Sequence, residues 1–165
     1  IYTIEVSEVE NLFLIEPLIK LVASQIGSDG DIIFQKVKDS LFELMVENKF
    51  DIINSIVVKE IRHKLNGFTS KGLNNTDIQK DLNVLLGRID VDGIYTQTES
   101  RISNIITNRD YKESLKIFNN KGLCQQVSGV IGLKKKYPQV VLDLLKGEKR
   151  GEIIKVLQEY LPNID

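Results

Sequence analysis

The feature that most constrains this chain is the spacing of its apolar residues, which recur at every third or fourth position through most of the sequence after residue 31. That period lines them up along one stripe of an α-helix, and a chain that repeats it segment after segment must bury the stripes against one another. Ile33, Val37, Leu41, Leu44 and Met45 predict a helix capped by Asp31 and running to about Asn48. Ile53, Val57, Ile61 and Leu65 predict a second, opened by Asp51 and stopped at Asn66-Gly67. Thr76 caps a third, with Ile78, Leu82, Leu85 and Leu86 inward and Gly87 as its stop. Further helices are expected over 98–107, with Ile102, Ile105 and Ile106 apolar, and along "RDYKESLKIFNNKG", with Tyr111, Leu115 and Phe118 inward. Three short ones follow near 123–131, 138–146 and 149–160, and Pro138 suits a first turn because its missing N–H costs nothing there. Only residues 1–6 read as a strand, while "RIDVDGIY" at 88–95 reads as a short extended piece or as a turn at Asp92-Gly93. The expected fold class is therefore mainly α: a compact array of about seven to nine helices with one short N-terminal strand.

A single strand makes no sheet, so residues 1–6 are either the orphan edge of a sheet whose other strands lie elsewhere or part of a small hairpin. The 165 residues suit one domain with a real core. The sequence opens at Ile1, directly in strand-like residues, which predicts a piece of a longer protein. The expectation is one helical domain over 1–165, with "NGFTSKGLNN" at 66–75 as a hinge candidate.

Composition narrows the function classes. An apolar content of 42% is that of a globular protein, which argues against disorder. No apolar run approaches the roughly 20 residues that span a bilayer, and no basic stretch leads into an apolar one as in a signal peptide. The single cysteine, Cys124, excludes an internal disulfide, fits a reducing cytoplasm, and reads as a small core residue. There is no phosphate-cradling glycine loop, no GxSxG and no cysteine pair at zinc spacing. His63 is the only histidine, which excludes histidine-pair metal sites; between Arg62 and Lys64 it reads as a solvated residue near a helix end. Residues 1–108 hold 11 basic and 16 acidic side chains, and residues 109–165 hold 11 and 7. An acidic front and a basic back suit a metal site beside a phosphate-contacting surface, or two ordinary solvated faces.

Five stretches carry chemistry that can be weighed. On an extended backbone, Glu8 and Glu10 of "SEVENLFL" project to the same side, and carboxylates that close repel unless a cation or proton lies between them. Hard oxygen ligands favour Mg²⁺ or Mn²⁺. The same two residues also suit a solvated strand end with an acid near the start of a helix at about Leu12. Lys121 in "FNNKGL" sits on a corner where Asn119, Asn120 and Gly122 permit unusual backbone angles, so it can aim a point charge at a phosphate or simply close a helix. Asp90 and Asp92 of "DVD" could share an ion, but Gly93 behind them reads as a turn. "SDGD" at 28–31 reads as a turn and helix cap. "LKKKYP" at 133–138 is a basic run that suits a nucleic-acid backbone or a solvated corner.

Taken together, "EVSEVENLFLIEP" and "LKIFNNKGLCQQV" resemble the C-terminal half of topoisomerase–primase-fold (TOPRIM) nucleases of the overcoming-lysogenization-defect type, closest to those found beside ABC-type ATPases in bacterial anti-phage defence. The family pattern of glutamate, apolar, glutamate, asparagine, apolar and leucine is met by Glu8, Val9, Glu10, Asn11, Leu12 and Phe13, with a phenylalanine in the last place. The resemblance implies that Glu8 and Glu10 are metal ligands and that Lys121 contacts the scissile phosphate. It implies Mg²⁺ or Mn²⁺ as cofactor, held only with the help of a preceding part that carries the family's early glutamate and paired aspartates, and nucleic acid, DNA first, as substrate. An ABC-type ATPase is the implied partner, and the chain alone is expected to be inactive. Asp90 and Asp92 fall on the wrong side of the helices to serve as the aspartate pair. The contrasting expectation is a non-catalytic helical interaction or dimerisation module, suited by "NSIVVKEI", which is apolar on more than one face.

Overall fold

The computed structural model describes residues 9–69, 74–118 and 123–161, without the side chains of Val9, Glu10, Leu123, Gln125 and Gln126. The chain is mainly α, as expected. Nine α-helices and one 3-10 helix, Val9–Leu14, hold most of these residues, and among the described residues there is no strand. The strand expected at residues 1–6 lies outside them. The chain groups into two compact units, one made of residues up to Met45 and from Arg109 onward, the other of Val46–Asn108. The sequence suggested a single domain with a hinge candidate at 66–75. The chain passes between the units near residues 45 and 109 instead, and 66–75 falls within the span of the second unit.

The first unit is built on the 3-10 helix and α1 (Glu16–Gln25), whose Leu18, Ile19, Val22 and Ala23 are buried on one stripe. Gly27 ends α1 at φ 75°, a left-handed angle that glycine adopts without strain. There the Ser28 N–H reaches the Ala23 carbonyl and the Gly27 N–H the Ser24 carbonyl, the six-to-one and five-to-two pattern that closes a helix. Asp29, rather than Asp31, caps α2 (Gly30–Glu47): its carboxylate accepts from the N–H groups of Asp31 and Ile32 at 2.9 and 3.0 Å. Asp31 instead pairs with Lys20 of α1, which also pairs with Glu16. A side chain at Gly30 would come within 3.1 Å of the Lys20 Cβ, so glycine allows α1 and α2 to approach closely there.

Arg109, at φ 49°, turns the chain into α6 (Tyr111–Ile117). Its guanidinium pairs with Asp39 of α2 and lies 5.1 Å from the centre of the Phe42 ring. Asp110 caps α6. Then come α7 (Leu123–Ile131), α8 (Tyr137–Leu145) and α9 (Arg150–Gln158), with α9 packed on α8 and α1. The three match the expected segments to within two residues.

In the second unit α3 (Lys49–Asn66) lies along α5 (Val91–Asn108), burying Ile52, Ile53 and Val57 with Ile102 and Ile105. Three expectations are corrected here. The stretch "RIDVDGIY" is neither strand nor turn: Asp90 accepts from the Gly93 N–H at 2.8 Å and starts α5, seven residues before the expected 98. Helix α4 (Asn75–Gly87) is capped by Asn74 rather than Thr76, and no residue of it is buried. Leu86, expected inward, is half exposed, because α4 packs only lightly on the other elements.

Candidate functional site

Glu8 and Lys121, and the side chain of Glu10, lie outside the described residues. The backbone around them is informative. The extended backbone that would set Glu8 and Glu10 side by side is not the geometry at Glu10, which lies in the 3-10 helix that begins at Val9. The physical reason is the density of inward residues: Asn11, Leu12, Leu14 and Ile15 are all buried, and a strand could not turn that set to one side.

A 3-10 helix has poorer internal hydrogen bonds than an α-helix, so this one depends on outside support. Three buried side chains provide it. The Asn11 amide donates both of its hydrogens, one to the Leu115 carbonyl at 2.8 Å and one to the Phe118 carbonyl at 3.0 Å. These acceptors lie at the C-terminal end of α6, where carbonyls lose their helical partners. The Tyr111 hydroxyl donates to the Leu14 carbonyl at 2.6 Å, and the Tyr137 hydroxyl donates to the Phe13 carbonyl at 2.7 Å. Burial pushes both tyrosine hydroxyls well above their usual range, so they stay protonated donors. The Phe34 ring meets Tyr111 edge to face at 4.9 Å. The Tyr137 N–H donates to Ser128 Oγ, whose own hydroxyl donates to the Cys124 carbonyl, so α7, α8 and the 3-10 helix close on one another.

The segment 119–122, which bears Lys121, follows Phe118 directly, and the helix bearing Glu10 is tied to Phe118 by the very next residue, Asn11. Sequence reasoning placed Asn11 only as a letter in a pattern, and Tyr111 only as part of an apolar stripe. A buried asparagine with both hydrogens committed cannot be recognised from periodicity, although its place between apolar runs was a signal.

The other stretches resolve into structural roles. Asp29 and Asp90 are helix caps. His63 is exposed in the last turn of α3, and Cys124 is buried. Among the described residues no group of three or more histidine, cysteine, aspartate or glutamate side chains is arranged to hold a metal. No described helix is long and apolar enough to cross a membrane. Comparison with protein-family models, curated proteins and solved structures gave no match.

Proposed function

We propose that this chain forms one wall of a TOPRIM-type nuclease site, in which Glu10 and Glu8 hold Mg²⁺ or Mn²⁺ and Lys121 faces the scissile phosphate of DNA. The observation that carries this is the Asn11 bridge. It joins the residue after Glu10 to Phe118, and three further residues can span at most about 11 Å. The two halves of the motif, more than a hundred residues apart in sequence, thus start from one corner of the first unit. Carboxylates and a lysine are a suitable donor set: oxygen ligands fit a hard cation, and an ammonium fits a phosphate as a point charge. A divalent ion supplies the Lewis acidity for phosphodiester hydrolysis. The paired aspartates implied by the resemblance would come from a preceding segment, so this chain binds one side of the site and does not cleave alone. A cytoplasmic setting and an ABC-type ATPase partner belong to the same reading.

Mn²⁺ titration of this chain, followed by amide NMR, tests it. The paramagnetic ion should broaden signals from 9–14 and from around 118–123 together, and Glu10→Ala should remove both effects. Broadening confined to other acidic surfaces would end the proposal. In a chain extended upstream through the aspartate strand, Glu10→Ala should abolish Mg²⁺-dependent DNA cleavage with an unchanged circular dichroism spectrum.

One observation favours a second reading, a dimerisation module in the second unit. There Phe50 is 66% exposed, and Val84, Leu86 and Val91 are each close to half exposed, apolar surface that a second copy would cover. Size-exclusion chromatography at two well-separated concentrations should then show concentration-dependent elution; a constant monomer excludes it.

A further inference from the structure

The corner between α7 and α8 carries Lys134, Lys135 and Lys136, all exposed. It is held at both ends. Gly132, at φ 74°, closes α7 with the Leu133 N–H on the Ser128 carbonyl at 2.9 Å, and Tyr137 immediately after the lysines is fully buried. The lysines therefore stand on a fixed backbone rather than a loose loop. Lys135 is engaged by Asp143 at 2.9 Å. Lys134 and Lys136 have no ion pair among the described residues. Elsewhere in the unit Lys20, Lys116 and Lys149 each contact an acid at 2.6 Å, while Lys36, Lys38, Lys146 and Lys155 have no ion pair among the described residues, so the anchored backbone is what sets the corner apart. Two exposed ammonium groups on a held backbone, with no acid paired to them among the described residues, offer an anion two point charges.

Their position gives the anion a context. Tyr137, the neighbour of Lys136, passes through the core to the Phe13 carbonyl, and Phe13 lies three residues from Glu10, about 6 Å of 3-10 rise. One tyrosine side chain separates the lysine corner from the helix that bears Glu10, and one turn of that helix leads from Phe13 to Glu10.

We propose that Lys134 and Lys136 form a phosphate-backbone contact surface that seats DNA beside the Glu10 helix. This rests on the nuclease reading for the choice of DNA, but it makes a claim about binding that needs no metal and no cleavage. A strand engaged near Glu10 runs over the corner, where two lysines meet its phosphates without reading sequence.

The test uses this chain, a fluorescein-labelled DNA duplex and fluorescence anisotropy in EDTA, over a series of salt concentrations. Lys134→Ala with Lys136→Ala should weaken binding about tenfold or more. It should also lower the slope of log affinity against log salt by about 1.8, the loss of two phosphate contacts. The control, Lys59→Ala with Arg62→Ala on α3, removes the same charge and should change affinity less than twofold. Equal losses in both double variants would reduce the effect to net charge and overturn the proposal. So would unchanged DNA binding in the corner variant, or binding to anionic phosphatidylserine vesicles with none to DNA. Because EDTA removes metal from the measurement, the Mn²⁺ experiment can fail while this one succeeds, and the reverse, so the two failures are distinguishable.

Discussion

Replacing Tyr137 with alanine should destabilise the chain by about 3–5 kcal/mol, read as a lowered denaturant midpoint, the cost typical of deleting a large buried ring. Tyr137 is fully buried, and its hydroxyl is the donor to the Phe13 carbonyl. Tyr137→Phe keeps the ring and removes only that donor, leaving the part-buried Phe13 carbonyl short of a partner, so its cost should be about 1 kcal/mol, that of one net hydrogen bond. If the two variants lost equal stability, the hydroxyl rather than the packed ring would dominate and this account of the core would fail. The hydroxyl also sets a pH dependence. Its folded-state titration is raised by burial, as is that of Tyr111. The unfolded chain therefore releases protons first, near pH 10. Stability present below that pH is lost as pH rises above it. Alkaline unfolding should be shallower with pH in Tyr137→Phe than in the parent, because one of the two buried tyrosine protons linked to folding is gone.

Much of the helical order was legible because it depends on a local signal. The stripes of α2, α3 and α5 follow from spacing alone: Val37, Leu41, Met45, Ile53, Val57, Ile102 and Ile105 were expected inward and are buried. Helix starts were less legible. Asp29 and Asn74 cap two residues earlier than the expected Asp31 and Thr76, because several polar residues in a row can each accept the free N–H groups and tertiary contacts choose among them. Asp31 shows the competition directly, since its carboxylate serves Lys20. The Asp92-Gly93 pair looked like a turn, but it sits behind a capping aspartate, and a helix with an early glycine reads the same as a turn in sequence. The failure of α4 to bury Leu86 was not legible at all, because periodicity states which residues share a face and not whether anything covers it. The candidate site was legible as a pair of motifs. What joins them, a single asparagine side chain, depends on contacts 104 and 107 residues apart, and the two tyrosine hydroxyls that support the same helix depend on contacts 97 and 124 apart, beyond the reach of any local pattern.

Asn11 is where fold and proposed function meet, and Asn11→Ala should cost about 2–6 kcal/mol. The side chain is buried, and its loss leaves the Leu115 and Phe118 carbonyls without their donor, each at roughly 1–3 kcal/mol. Asn11→Leu restores volume but not the donors, so it should recover only part of the loss. Asn11→Asp separates the two contributions by pH. An aspartate carboxylate has no hydrogen to donate and would face two carbonyl oxygens in a buried place, so its folded-state titration would be raised. The folded form then holds a proton that the unfolded chain has released. The stability of the Asn11→Asp variant should therefore rise as pH falls from 7 toward 4, where one hydrogen returns to bridge one carbonyl. Hydrogen exchange gives the local readout. Amides of the 3-10 helix and the last turn of α6 should lose protection together in Asn11→Ala, while those of α3 and α5 stay protected. Protection lost evenly across both units would mean that Asn11 serves general stability and does not specifically join the Glu10 helix to the corner before Lys121. Retained Mn²⁺ broadening at both 9–14 and 118–123 in Asn11→Ala would likewise remove the bridge from any role in building the site.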